Sequence, residues 1–175
     1  MLWTIGHSSR SWDEFLALLQ SEAIGLVADV RRFPGSRAHP QFGQAALSEA
    51  LAAAGIGYRH FPELGGRRGK PAPDSQNTAW RVAAFNAFAD HAATQEFRAA
   101  FDTLLELAES QRTAIMCSEA VPWRCHRRII ADHFLALGWS VTDIVGRGQV
   151  KPHVLPEFAR VEDGQVTYPG GTLFD

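Results

Sequence analysis

Short apolar runs alternate with stretches in which apolar residues recur every three or four positions, the pattern of strands exchanging with amphipathic helices. Leu2 to Ile5 reads as a first strand. Ser11 and Glu14 then have capping-box spacing, and Phe15, Leu18 and Leu19 supply the apolar stripe of a first helix. Gly25 closes that segment, and Leu26 to Val30 forms a second strand running into Arg31. After a loop with Pro34, Gly35 and Pro40, the pattern predicts a helix from Gln44 to Ala54, stopped by Gly55, and a third strand from Ile56 to Phe61. Residues 62 to 77 hold too many Gly and Pro for regular structure, and so long a loop in a compact domain is usually functional or mobile. Helices are predicted over Ala79 to His91, with Phe85 and Phe88 inward, and over Gln95 to Ser110, with Phe97, Phe101, Leu104 and Leu105 inward. Thr113 to Cys117 is a fourth strand. From His126 a last helix carries Ile130, Phe134 and Leu137 on one face and ends at Gly138, before a fifth strand from Ser140 to Val145.

This alternation predicts an α/β fold: a single domain with a mostly parallel five-stranded sheet flanked by helices. Beyond Val150 the texture changes, and Phe158 to Pro169 reads as a β-hairpin turning at Asp163 and Gly164. Residues 1–150 are therefore expected to form the α/β domain and 151–175 a C-terminal hairpin extension of it. In such sheets ligands bind beyond the carboxyl ends of the strands. The residues there are His7 and Ser8, Arg31, Phe61 to Gly66, Ser118 and Glu119, and Gly146 and Arg147.

The most chemically dense stretch is Thr113 to Arg128, TAIMCSEAVPWRCHRR, with two thiols, a carboxylate, an imidazole and three guanidiniums where a strand feeds a helix. A helix N-terminus favours an anion or thiolate, which makes Cys125 the better thiolate candidate, with Cys117 second. The duller reading packs Cys117 as a small hydrophobe and pairs Glu119 with Arg127 in a structural salt bridge. His126 and His7 could likewise only line a pocket or bond backbone. Asp29, inside an apolar strand, needs a partner, and Arg31 and Arg127 are both available. A metal at Cys117, Cys125, His126 and His7 is not expected, because the spacing matches no structural zinc pattern and adjacent Cys and His rarely reach one tetrahedral ion. No cofactor is expected, and the GGRRGK segment fails as a phosphate-binding P-loop because Pro71 follows Lys70.

Composition adds one thing. The net charge is only −2, but nine of the 17 basic residues fall in three loop clusters: Arg31, Arg32 and Arg37; Arg67, Arg68 and Lys70; Arg124, Arg127 and Arg128. Fifteen of the 17 are Arg, suited to bidentate binding of phosphate or carboxylate. No window approaches the ~20 apolar residues of a membrane span and MLWTIGHSS lacks signal-peptide features, so a cytoplasmic protein without a membrane partner is expected. Two cysteines eight positions apart fit reduced functional thiols better than a disulfide framework.

TIGHS at Thr4 to Ser8, ADVRRFPGS at Ala28 to Ser36, GIGY at Gly55 to Tyr58, LGG at Leu64 to Gly66, CSE at Cys117 to Glu119 and CHR at Cys125 to Arg127 together resemble the bacterial and archaeal family known as domain of unknown function 488. The resemblance implies an α/β fold and no particular reaction. A remoter likeness is to rhodanese-like and cysteine-phosphatase domains, through LVADVR and the AIMC strand followed by a helix. Here, however, six residues separate Cys117 from Arg124 where a phosphatase has five, and the loop lacks their glycines.

The sequence reading is thus a pocket at the strand carboxyl edge for a small anionic, phosphorylated or nucleotide-like ligand. Ser8, Arg31, Arg124 and Arg127 would bind the anion, Cys125 and the helix amides would complete the cradle, and His7 or Glu119 would move protons if there is chemistry. The alternatives are a nucleic-acid-binding module associated with DNA repair, with Trp80 and Trp123 stacking on bases, and a Cys-dependent sulfurtransferase or phosphatase-like enzyme. Whether the protein is an enzyme, and its oligomeric state, stay open at this point.

Overall fold

The computed structural model describes residues 1–171. Its six-stranded sheet has the order β3-β2-β4-β1-β5-β6, with β1 Leu2–Gly6, β2 Leu26–Asp29, β3 Gly57–His60, β4 Thr113–Cys117, β5 Val141–Gly146 and β6 Gln149–Pro152. The first five strands are parallel, and β6 returns antiparallel along the edge of β5. The hairpin to β6 was missed because every residue of that strand is exposed and so shows no alternation. Pro152 is tolerated there because an edge strand need not donate on its outer side. A separate hairpin, β7 Arg160–Glu162 and β8 Gln165–Thr167, turns at Asp163 and Gly164, both with positive φ, as the sequence predicted. Of the 151–175 extension, positions 172–175 lie outside the described residues.

Among the described residues, five α-helices cover the sheet: α1 Trp12–Ser21, α2 Gln44–Ala53, α3 Ala83–Ala92, α4 Gln95–Ser110 and α5 Arg127–Ala136. The pleat divides the strand residues between two cores. Trp3, Ile5, Val27, Ala114 and Met116 meet Phe15, Leu19, Leu47 and Leu51 of α1 and α2 on one face. Leu2, Ala28, Ile115 and Cys117 meet Phe88, Phe97, Ile130 and Phe134 of α3, α4 and α5 on the other. At α1 the capping box is present, with Glu14 Oε2 accepting from the Ser11 amide at 2.8 Å. The α3 helix starts four residues later than the apolar spacing predicts. Tyr168 near the C-terminus accepts from the amides of Thr78 and Ala79, and the Asn86 side chain accepts from the Trp80 amide, so this stretch is held out of the helix. Leu137, expected inward, is exposed at the end of α5.

One buried polar network was invisible in the sequence. His153 places Nδ1 at 2.8 Å from Asp143 of β5 and Nε2 at 2.9 Å from Asp132 of α5. Asp143 also accepts from Thr4 of β1, and Asp132 from the Tyr168 hydroxyl. A neutral imidazole has one N–H, so two carboxylate partners require the imidazolium. The network ties the C-terminal segment to the centre of the sheet.

β1 and β4 lie side by side, yet the chain leaves β1 toward β2 and leaves β4 toward β5, in opposite directions across the sheet. That is a topological switch point, where diverging loops open a crevice at the strand carboxyl ends.

Candidate functional site

An open cleft of about 810 Å3 lies at that point, and His7, Ser8, Arg31, Cys117, Glu119, Arg124 and Cys125 line it. The loops of β1 and β4 are stitched together at its base, with the His7 amide bonded to the Cys117 carbonyl at 3.0 Å and the Ser8 amide to the Ser118 carbonyl at 2.8 Å. Gly6 is obligatory beneath them: an added Cβ would stand 1.7 Å from the Glu119 carbonyl oxygen. Ser8 takes a positive φ of 49° at the cleft wall.

Arg31 is the partner of Asp29. Two positions apart on extended chain, their side chains share a face, and Nε and Nη2 donate to the two carboxylate oxygens at 2.8 and 2.6 Å. Nη1 donates to the Phe42 carbonyl at 2.8 Å and to His7 Nε2 at 3.2 Å. Burial alone would weaken this cation, but the Asp29 carboxylate more than offsets that and raises its pKa. Tyr58 donates to the same carboxylate at 2.7 Å. His7 gives its Nδ1 proton to the Ser8 carbonyl at 2.9 Å, leaving Nε2 as the acceptor toward Arg31. Its pKa is lowered by burial and by the Arg31 charge, so the ring is neutral. Proton transfer at Nε2 would require breaking its bond to Arg31.

The second cluster forms the cleft floor. His126 donates from Nε2 to the Val30 carbonyl at 2.9 Å, which turns the Nδ1 lone pair toward Cys125 Sγ at 3.7 Å and Cys117 Sγ at 4.0 Å. Cys125 is extended (φ −133°, ψ 141°) while His126 is helical (φ −59°, ψ −21°). This change of conformation lets adjacent side chains converge on one point, contrary to the sequence expectation. Gly66 packs on the imidazole, where a Cβ would fall 2.5 Å from Cγ and Nδ1. The neighbouring Cys125 thiol, His126 and Arg127 hold the Cys117 thiol well below its ordinary pKa, and burial pushes Cys125 up. These directions favour Cys117 as the thiolate, where the sequence reading put Cys125 first.

A model of one protein family, described as domain of unknown function DUF488, matches residues 11–134, about seven-tenths of the chain. The chain belongs to this family. The DUF488 segment spans Arg31, Cys117, Cys125 and His126 and leaves His7 and Ser8 just outside it. No curated protein and no solved structure matches the chain.

Arg127 is where the sequence reading of this DUF488 site goes wrong. Its side chain is 0% exposed and does not line the cleft. It donates to the carbonyls of Glu119 at 2.5 Å and Ala120 at 3.1 Å, and to Thr4 Oγ1 at 3.4 Å, bracing the loop from within. Glu119 meets Arg127 through its carbonyl, and its side chain stays exposed on the cleft wall. Of the helix amides expected to form a cradle, those of Cys125, Arg128 and Ile129 are instead bonded to the carbonyls of Pro122, Cys125 and His126. Arg32, Arg67, His39 and His126 line the cleft and were not in the predicted set. The LGG segment was the available signal for His126, since glycine permits the close approach of Gly66. Trp80, read as a base-stacking residue, is buried under the Arg128 guanidinium, and Trp123, 51% exposed, lies outside the cleft. Arg68 is spent on the carbonyls of Pro62, Glu63 and Gly65.

Proposed function

We propose that the protein binds a small anionic ligand, phosphorylated or nucleotide-like, in the cleft at the carboxyl edge of the sheet, with the Cys117, Cys125 and His126 cluster as the chemical centre at its floor. The observation that carries this reading is the charge of the lining: Arg31, Arg32, Arg67 and Arg124 against the single carboxylate of Glu119. Asp29 neutralises Arg31, whose guanidinium is held in the cleft lining by Asp29, Phe42 and His7, and the net positive charge comes from the other three. A volume of about 810 Å3 suits a small ligand rather than a polymer. Glu119, exposed beside Cys117, is the better placed proton acceptor, because His7 is committed to Arg31.

Against a nucleic-acid module stand the burial of Trp80 and the internal use of Arg68. Against phosphatase-like chemistry stands the loop after Cys117, in which the amides of Arg124 and Cys125 are bonded to the loop's own carbonyls of Val121 and Pro122.

The test is calorimetric titration of the wild type and of Arg67→Ala/Arg124→Ala with phosphate and with mononucleotides. A charge-assisted hydrogen bond contributes roughly 1.5–3 kcal/mol, so loss of both arginines should weaken binding more than tenfold. Absence of any binding to the wild type at millimolar anion, or equal affinities in the two proteins, overturns the reading.

A further inference from the structure

We propose that Cys117, Cys125 and His126 bind a zinc-class divalent metal ion, with a fourth coordination position open to the cleft. One Nδ1 and two Sγ atoms lie within 4.8 Å of one another in side chains that are all buried. In a tetrahedral site with Zn–S near 2.3 Å and Zn–N near 2.0–2.1 Å, ligand atoms stand roughly 3.5–3.8 Å apart. The observed sulfur to nitrogen distances of 3.7 and 4.0 Å require only a small contraction around an ion.

The surroundings match a ligand set as well as the spacing does. The proton of His126 is fixed on Nε2 by the Val30 carbonyl, the outer partner that orients a metal-bound imidazole and frees its other nitrogen. Gly66 leaves the space beside that nitrogen uncrowded by a side chain. Two thiolates would neutralise a divalent cation, and a soft sulfur-rich set selects zinc-like ions over magnesium or calcium. All three residues line the cleft, so a fourth ligand would come from that side. Three protein ligands with one open position is the arrangement of catalytic rather than structural zinc.

The experiment uses the full chain stripped with a chelator and titrated with zinc(II) alone, in competition with a chromophoric chelator. Uptake of one ion per chain is expected, with release of protons as the thiols ionise. Cys117→Ser should lower the affinity at least a hundredfold. Because loss of His126 would also disturb its packing on Phe88 and Gly66, the nitrogen ligand is tested in the wild type by X-ray absorption, which should report two sulfurs and one imidazole nitrogen. Failure to take up zinc at micromolar concentration, an unchanged affinity in Cys117→Ser, or a first shell without sulfur would each overturn the proposal. Since no anion is present, none of these results bears on the anion-binding reading.

Discussion

His153 should make the stability of this protein fall as pH rises across the mildly alkaline range. Its pKa is raised from 6.5 to about 9 against the burial penalty, because both ring nitrogens donate to carboxylates, Asp132 and Asp143. A group whose folded pKa is raised binds its proton more tightly when folded. Its contribution is complete below 6.5 and is lost as pH climbs through about 9. The rise from 6.5 to about 9, at about 1.4 kcal/mol for each tenfold change in proton affinity, gives roughly 3 kcal/mol. Urea unfolding at a series of values from about pH 6 to about pH 9.5 measures it, with His153→Gln as the reference. Other groups titrate in both proteins, among them the thiols and Tyr58, so the difference between the two curves isolates the imidazolium. That difference should shrink by roughly 3 kcal/mol over the interval. A constant difference, or an NMR titration placing His153 near an ordinary histidine, would refute the doubly bonded imidazolium.

Three further outcomes follow from the site. Arg127→Ala removes a wholly buried guanidinium and strands the Glu119 and Ala120 carbonyls, so it should cost about 3–5 kcal/mol in denaturant unfolding; a loss under about 1 kcal/mol would mean that the loop does not depend on it. Gly6→Ala drives a Cβ into the Glu119 carbonyl and should destabilise by about 3 kcal/mol; wild-type stability would show that the β4 loop can move aside freely. In chelator-treated protein, iodoacetamide should modify Cys117 before Cys125, as mapped by peptide mass spectrometry, and the reverse order would contradict the lowered pKa of Cys117.

The parts of the molecule legible in the sequence are those fixed locally. The Ser11 capping box, the Asp163 and Gly164 turn and the fully buried strands β1 and β4 each carry their signal within a few residues. Parallel strands feeding helices then place His7, Arg31 and Cys117 at one edge by topology alone. What could not be read is orientation and long-range pairing. Arg127 lies two residues after Cys125, but α5 turns it inward under the loop, and no spacing rule says which of three clustered arginines faces solvent. The Asp132, Asp143 and His153 network joins isolated polar residues from separate elements, each unremarkable in its own window. The convergence of Cys125 and His126 depends on one change of backbone conformation between them.

The central claim, a small-anion site at the β1 and β4 switch point, is tested most directly by a crystal structure grown with tungstate, a phosphate mimic that anomalous scattering locates without ambiguity. The account predicts a tungstate peak in the cleft, within hydrogen-bond distance of Arg31 and of Arg67 or Arg124. Tungstate found only on outer surfaces, with the cleft arginines holding none, would contradict it.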